Sequence, residues 1–269
     1  MLENITIGQY FPTNSILHKL DSRVKIIMTV LMIVSVFIAG NIFLLSALAL
    51  FIFAVMCMSR IKLGTYFRML KSIWFVILLT SVLNLFYVKG DTPLFKFWII
   101  TVYSEGIERA VFIAVRICLL IIISSILTYT TSPTDLTDAI ERLLSPLKFI
   151  GLGEGVHILA MMTSIALRFI PTLIEETDKI MSAQKARGAE LDSGGLVSRV
   201  KAMLPILIPL LISATRRAYD LAEAMECRCY HGGKGRTKMR QVHMHLRDYL
   251  ALGIGILLVA LLIVGQVLF

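Results

Sequence analysis

The sequence predicts an all-α polytopic membrane protein of about five transmembrane helices plus a cytosolic region of about three amphipathic helices. Three observations carry that expectation. Of 269 residues, 57% are hydrophobic and the mean hydropathy is +0.80, well above a soluble domain. The excess lies in runs near the ~20 residues that cross ~30 Å of hydrocarbon at 1.5 Å per residue. The basic residues, which give a net charge of +9, sit at the ends of those runs, where they set orientation. The expected solvent is therefore the lipid bilayer, and no nucleic-acid partner is expected. Residues 1–7 are neither basic nor followed by a small-residue cleavage site, so no removable signal peptide is expected. Cys57 and Cys118 fall in apolar runs and Cys227 and Cys229 in a basic segment, a usage that fits free thiols facing a reducing cytosol.

Four apolar stretches come first, at about 24–40, 42–59, 70–88 and 107–130, and a fifth at about 249–268. Lys19, Arg23 and Lys25 precede the first. Arg60, Lys62, Arg68 and Lys71 separate the second from the third, with no acidic residue from 60 to 71. The positive-inside bias puts both segments in the cytosol, with the N-terminus inside. The 89–106 loop balances Lys89 and Lys96 against Asp91 and Glu105, which suits the outer face.

After the fourth span, Ser132-Pro133-Thr134-Asp135 is a helix-start signal. A helix over roughly 134–149 would gather Leu136, Ile140, Leu143, Leu144 and Leu147 on one face. Two longer helices follow at about 155–188 and 195–230. Their apolar halves, 156–174 and 202–215, are read as lying at or below the inner surface. Two further spans would expose Lys179, Lys185, Arg187, Arg199 and Lys201 outside, against the charge bias. Lys234, Arg236, Lys238, Arg240 and Arg247 then fix the inner face before the last span.

An internal repeat marks the ends of the two long helices. Ile180–Gly188 aligns with Leu221–Cys229: an aliphatic residue, alanine three positions on, alanine or cysteine three after that, then arginine and glycine or cysteine. On a helix the small residues form one stripe leading to Arg187 or Arg228. Gly188, and Gly232-Gly233 after the second arginine, are expected to supply the left-handed backbone that stops each helix. A lone arginine there would serve the helix dipole. Two such ends, each with a planar donor fork, suit a pair of similar sockets containing carboxylates or carbonyls.

Ala186-Arg187-Gly188 resembles the first Ala-Arg-Gly signature of the EcfT/CbiQ family of energy-coupling-factor transmembrane proteins, and Ala224 to Gly232 resembles the second. The likeness runs along nearly the whole chain. It implies a transmembrane scaffold subunit of an ATP-driven importer for vitamins or transition metals, without enzymatic activity of its own. Two ABC-type ATPase subunits, a homologous pair or a dimer, would carry ATP and Mg. A small substrate-binding integral membrane subunit would complete the complex. Carried over, Arg187 and Arg228 are the ATPase anchors, and Ala183, Ala186, Gly188, Ala224, Cys227 and Cys229 the docking-helix packing surface. At the second signature, Cys227 and Cys229 stand where the family has alanine and glycine. The expected organisation is a membrane domain over 1–131, a cytosolic or interfacial coupling domain over 132–247 and a terminal span over 248–269.

Other features weigh less. Cys227, Cys229 and His231, with His243 and His245 beyond, are metal-ligand types, but the C-x-C-x-H spacing is not a common zinc pattern, and no metal site is expected. Gly232 to Thr237 is glycine-rich, yet no strand precedes it and the phosphate-loop spacing fails. Nucleotide is expected on a partner, with no cofactor on this chain. Asn84 and Arg116 lie inside spans, where polar groups should face protein and hydrogen-bond between helices. Arg216 and Arg217 have two readings, lipid phosphates or carboxylates of a neighbouring helix. An intramembrane enzyme lacks paired carboxylates or an H-E-x-x-H motif. A stand-alone secondary transporter, the alternative reading, calls for an inverted repeat at the bilayer midplane, whereas this repeat is parallel and short.

Overall fold

In the computed structural model, residues 10–87, 93–97, 100–146, 151, 153–189, 195–232 and 244–268 are described. In chain order the elements are α1 (Ser22–Ile38), α2 (Ile42–Met58), α3 (Leu63–Tyr87), β1 (Pro93–Phe97), β2 (Ile100–Tyr103), α4 (Ser104–Thr130), α5 (Pro133–Leu143), α6 (Gly153–Ala186), α7 (Leu196–Cys227) and α8 (Leu246–Leu268). The chain divides into two compact units. One holds Gly8–Ser132 with Gln241–Phe269, the other Met1–Ile7 with Pro133–Arg240.

The helical polytopic class holds, with one addition. The loop between α3 and α4 contains a short antiparallel hairpin in which Pro93 pairs with Tyr103 and Phe97 with Ile100. Phe95, Phe97, Ile100 and Val102 are aromatic or β-branched, which favours extended backbone. Among the described residues four helices are long and apolar enough to cross a membrane: α3, α4, α6 and Leu246–Val267 of α8. At 17 residues each, α1 and α2 are about 26 Å long. The apolar window of α6 has a mean hydropathy of 1.6, so by composition alone this helix too meets the requirement for a span.

The first unit is a bundle of α1, α2, α4 and α8 with α3 laid on α4. Met32, Val36, Leu45, Leu48, Ile52, Leu119, Ile123 and Leu262 form its core. Its outer faces stay apolar and open, with Phe43 81% and Leu50 74% exposed. In water that surface would aggregate, whereas in hydrocarbon it needs no cover. The interior polar contacts fix how the helices meet. Asp21 N-caps α1 by accepting from the Arg23 amide at 2.9 Å. Buried Asp248 of α8 accepts from the Asp21 amide at 2.9 Å and the His245 amide at 2.8 Å. Buried Lys25 donates to the Thr130 carbonyl at 2.8 Å, where α4 ends and a cation is favoured. At the α1–α2 turn the Gly40 amide donates to Gln266 Oε1 at 2.9 Å. A Cβ on Gly40 would lie 2.6 Å from Gln266 Nε2.

The second unit contains α5, α6 and α7. The expected helix over 134–149 stops at Leu143, with one further turn bond from the Leu144 amide to the Ile140 carbonyl. Pro146, which has no N–H to offer the Arg142 carbonyl, accounts for the early stop, and the chain passes into a tighter 3-10 turn at Ser145 and Pro146. Residues 147–150 lie outside the described residues. Glu141 of α5 meets His157 Nδ1 of α6 at 3.0 Å. Pro171 lies inside α6, and Pro205 and Pro209 inside α7.

Candidate functional site

The two repeat ends have the same backbone geometry. At the end of α6 the Gly188 amide donates to the Lys185 carbonyl at 3.0 Å and the Ala189 amide to the Gln184 carbonyl at 3.0 Å. At the end of α7 the Cys229 amide donates to Glu226 at 2.8 Å and the Tyr230 amide to Met225 at 3.0 Å. Each is a complete Schellman closure, with the arginine at the C-cap and a left-handed residue after it. That residue is Gly188 at φ 84° in one end and Cys229 at φ 54° in the other. This corrects the sequence expectation at the second end. Gly232 is also left-handed, at φ 94°, but α7 has closed before reaching it. Cysteine takes a conformation there that disfavours a side chain by roughly 1–2 kcal/mol.

The closure decides what the arginines do. Backbone amides occupy the Gln184 and Lys185 carbonyls at one end and the Met225 and Glu226 carbonyls at the other, and neither the Arg187 nor the Arg228 guanidinium bonds another described residue. They are not caps of their own helices. Ala183, Ala186, Arg187 and Gly188 are exposed, as are Ala224, Cys227, Arg228 and Cys229. Each end thus presents a cation and a shallow small-residue stripe to its surroundings.

Between the two ends lies a contact that sequence reasoning missed in part. Arg217 Nη2 of α7 donates to Glu176 Oε2 of α6 at 2.9 Å, and Ser213 Oγ donates to Glu176 Oε1. Arg217 thus takes the carboxylate reading. The 41-residue offset of the repeat maps Glu176 onto Arg217, so each partner lies eleven residues before its own signature arginine. Extending the alignment backward would have found the pair. Gln184 Nε2 reaches the Pro205 carbonyl at 3.5 Å, so α6 and α7 run antiparallel through the contact. Their arginine ends diverge, with about 16 Å of helix on either side of the ion pair.

The remaining candidates separate. Arg116 Nη2 of α4 donates to the Ala39 carbonyl at the end of α1 at 2.7 Å, and its guanidinium lies 4.5 Å from the Phe112 ring centroid. This is the expected interhelical role. Asn84 instead donates to the Thr80 carbonyl of its own helix at 2.8 Å, so the expected bond to another helix is not made by this group. Among the described residues no cluster of three His, Cys, Asp or Glu side chains is placed to hold a metal ion. His243 and the segment 233–240 lie outside those residues.

Comparison with known proteins adds to this geometry. Residues 13–239 match the family model CbiQ, described as cobalt transport protein. A protein of Clostridium kluyveri named energy-coupling factor transporter transmembrane protein EcfT is 47% identical over 268 residues, covering 99% of this chain and 98% of its own. Relatives of the same name from Ruminiclostridium cellulolyticum and Brevibacillus brevis are 46% and 48% identical. They cover 100% and 96% of this chain, and 100% and 97% of their own lengths.

Proposed function

The chain belongs to the CbiQ cobalt transport family, and from that premise we propose that it is the transmembrane coupling subunit of an energy-coupling-factor importer. The observation that carries the reading is the pair of matched arginine ends on α6 and α7. Each offers a bidentate donor that no described residue engages, beside small residues that admit another backbone. Two ABC-type ATPase subunits supply the sockets, and ATP and Mg reside on them. This chain performs no chemistry. When the ATPases close or open, Arg187 and Arg228 move with their sockets, and α6 and α7 pivot about the Glu176–Arg217 contact. That motion passes to a small membrane subunit holding a vitamin or a transition metal. The basic segments support a cytosolic side for the N-terminus and the coupling helices.

The test is a mild-detergent pull-down of the tagged chain from its native membrane. Arg187→Glu combined with Arg228→Glu should strip both ATPases while the chain remains membrane-embedded. Either single change should weaken capture by roughly 2–3 kcal/mol, the scale of breaking one interfacial charge pair. Retention of both ATPases by the double variant would sink the docking assignment. Uptake by the chain alone in liposomes would point back to a stand-alone secondary transporter.

A further inference from the structure

Two cavities in the first unit form one amphipathic cleft. The apolar part, of about 390 Å³, lies between α1, α2, α4 and α8 and is lined by Met28, Met32, Phe51, Ile123, Leu127 and Ala251 among others. That volume is within the range of small-molecule sites. The second, more open part is lined by Asn14, Ser15, Lys19, Cys57 and Arg60. Ile16, Met58 and Arg247 line both. No acidic side chain lines either one.

The cations arrive from three distant places in the chain: the segment before α1, the turn after α2 and the first turn of α8. Lys19, Arg60 and Arg247 are exposed, and no hydrogen bond or ion pair to a described residue engages their side chains. Arg60 is held at φ 57°, where glycine or asparagine would sit with less strain. The fourth cation, Lys25, is already committed to the Thr130 carbonyl. Three uncommitted charges at the mouth of an apolar slot, at the end of a membrane bundle, match a ligand with an anionic head and a hydrocarbon tail.

We propose that this cleft holds one anionic phospholipid, its phosphate among Lys19, Arg60 and Arg247 and an acyl chain along the apolar wall between α1 and α8. The assignment is independent of the ATPase-docking reading, since it uses none of the same residues. The lipid bridges the N-terminal ends of α1 and α8 and the C-terminal end of α2, so it stabilises the assembled unit by mass action.

Native mass spectrometry of the full-length chain, purified in mild detergent and delipidated, tests the site by titration with phosphatidylglycerol and phosphatidylcholine of identical acyl chains. Phosphatidylglycerol should bind roughly tenfold more tightly. The triple variant Lys19→Gln, Arg60→Gln, Arg247→Gln should erase that preference. Lys62→Gln, Arg68→Gln, Lys71→Gln, which removes the same charge from residues lining neither cavity, should keep it. Ala251→Trp, which fills the slot, should weaken both lipids. Equal affinity for the two lipids in the unaltered chain would overturn the proposal, and that comparison does not depend on any variant folding. So would a triple variant that keeps the preference, or inorganic phosphate competing as well as the lipid does, which would mark a free-anion site.

Discussion

Cys229 illustrates how much one dihedral angle carries. Its left-handed backbone closes α7 where Gly188 closes α6, and glycine would adopt that conformation without the side-chain penalty. Cys229→Gly should therefore stabilise the purified chain by about 0.5–1 kcal/mol after allowing for the greater freedom of glycine in the unfolded chain. Cys229→Val should destabilise it. Thermal unfolding in detergent, followed by circular dichroism, reads both signs. A second residue-scale prediction concerns Asp248. Replacing it with alanine leaves the Asp21 and His245 amides without their acceptor, at a cost of roughly 2–4 kcal/mol, visible as a lower melting temperature. The sequence singles out Cys229 because it stands where the resembled family signature has glycine. It gave no warning of Asp248, because an acidic residue in the first turn of a helix normally serves the dipole of its own helix, whereas this one also reaches a residue 227 positions away.

At the scale of elements, the apolar runs located helices but not their ends, and α6, expected at the inner surface, is itself long and apolar enough to span while α1 and α2 are shorter. The third apolar run starts near residue 70, yet α3 begins at Leu63. A hydropathy reading stops at Arg68 and Lys71, while a helix continues through them, since long basic side chains can lie along the helix and reach the interface. The α6–α7 pair was legible in its ends and not in its crossing. Equal spacing of Glu176 and Arg217 from their arginines makes the ion pair a candidate fulcrum, and it can be tested by charge exchange. Glu176→Arg or Arg217→Glu alone should impair substrate uptake by the reconstituted complex, and the double exchange should restore a large part of it. The pair is partly exposed, with side chains at 22% and 40%, so solvent screening keeps its contribution to stability small. Uptake lost without a matching loss of thermal stability would separate a pivot from a mere strut.

Across the whole molecule two kinds of surface appear. Broad apolar faces cover the bundle of α1 to α4 with α8 and also α6 and α7, where Leu159 is 66% and Leu211 69% exposed, while exposed arginines and small residues mark the ends of α6 and α7. Composition made the first kind of surface readable at once. The second needed the repeat, because a few alanines and an arginine carry no signal singly. Uptake should require the partners: proteoliposomes containing this chain alone should accumulate no substrate, and addition of the ATPases and the substrate-binding subunit should restore accumulation. Loss of α8 should be more damaging than its position near the chain end suggests. A chain truncated after Arg240 lacks Asp248 and Gln266 and leaves one flank of α1 uncovered. It should be degraded in the membrane rather than accumulate, as a pulse-chase would show.

That dependence of α1 on α8 has a consequence for synthesis. The Asp21 amide waits for Asp248, and the Gly40 amide for Gln266, each more than two hundred residues downstream. At about 5–20 residues per second, α1 spends ten seconds or more in the membrane before the helix that completes it emerges from the ribosome. All of α5, α6 and α7 is made in that interval. The bundle that anchors the machine is therefore the last part to close, and a nascent chain offers quality-control proteases an unfinished α1 for the whole of that time.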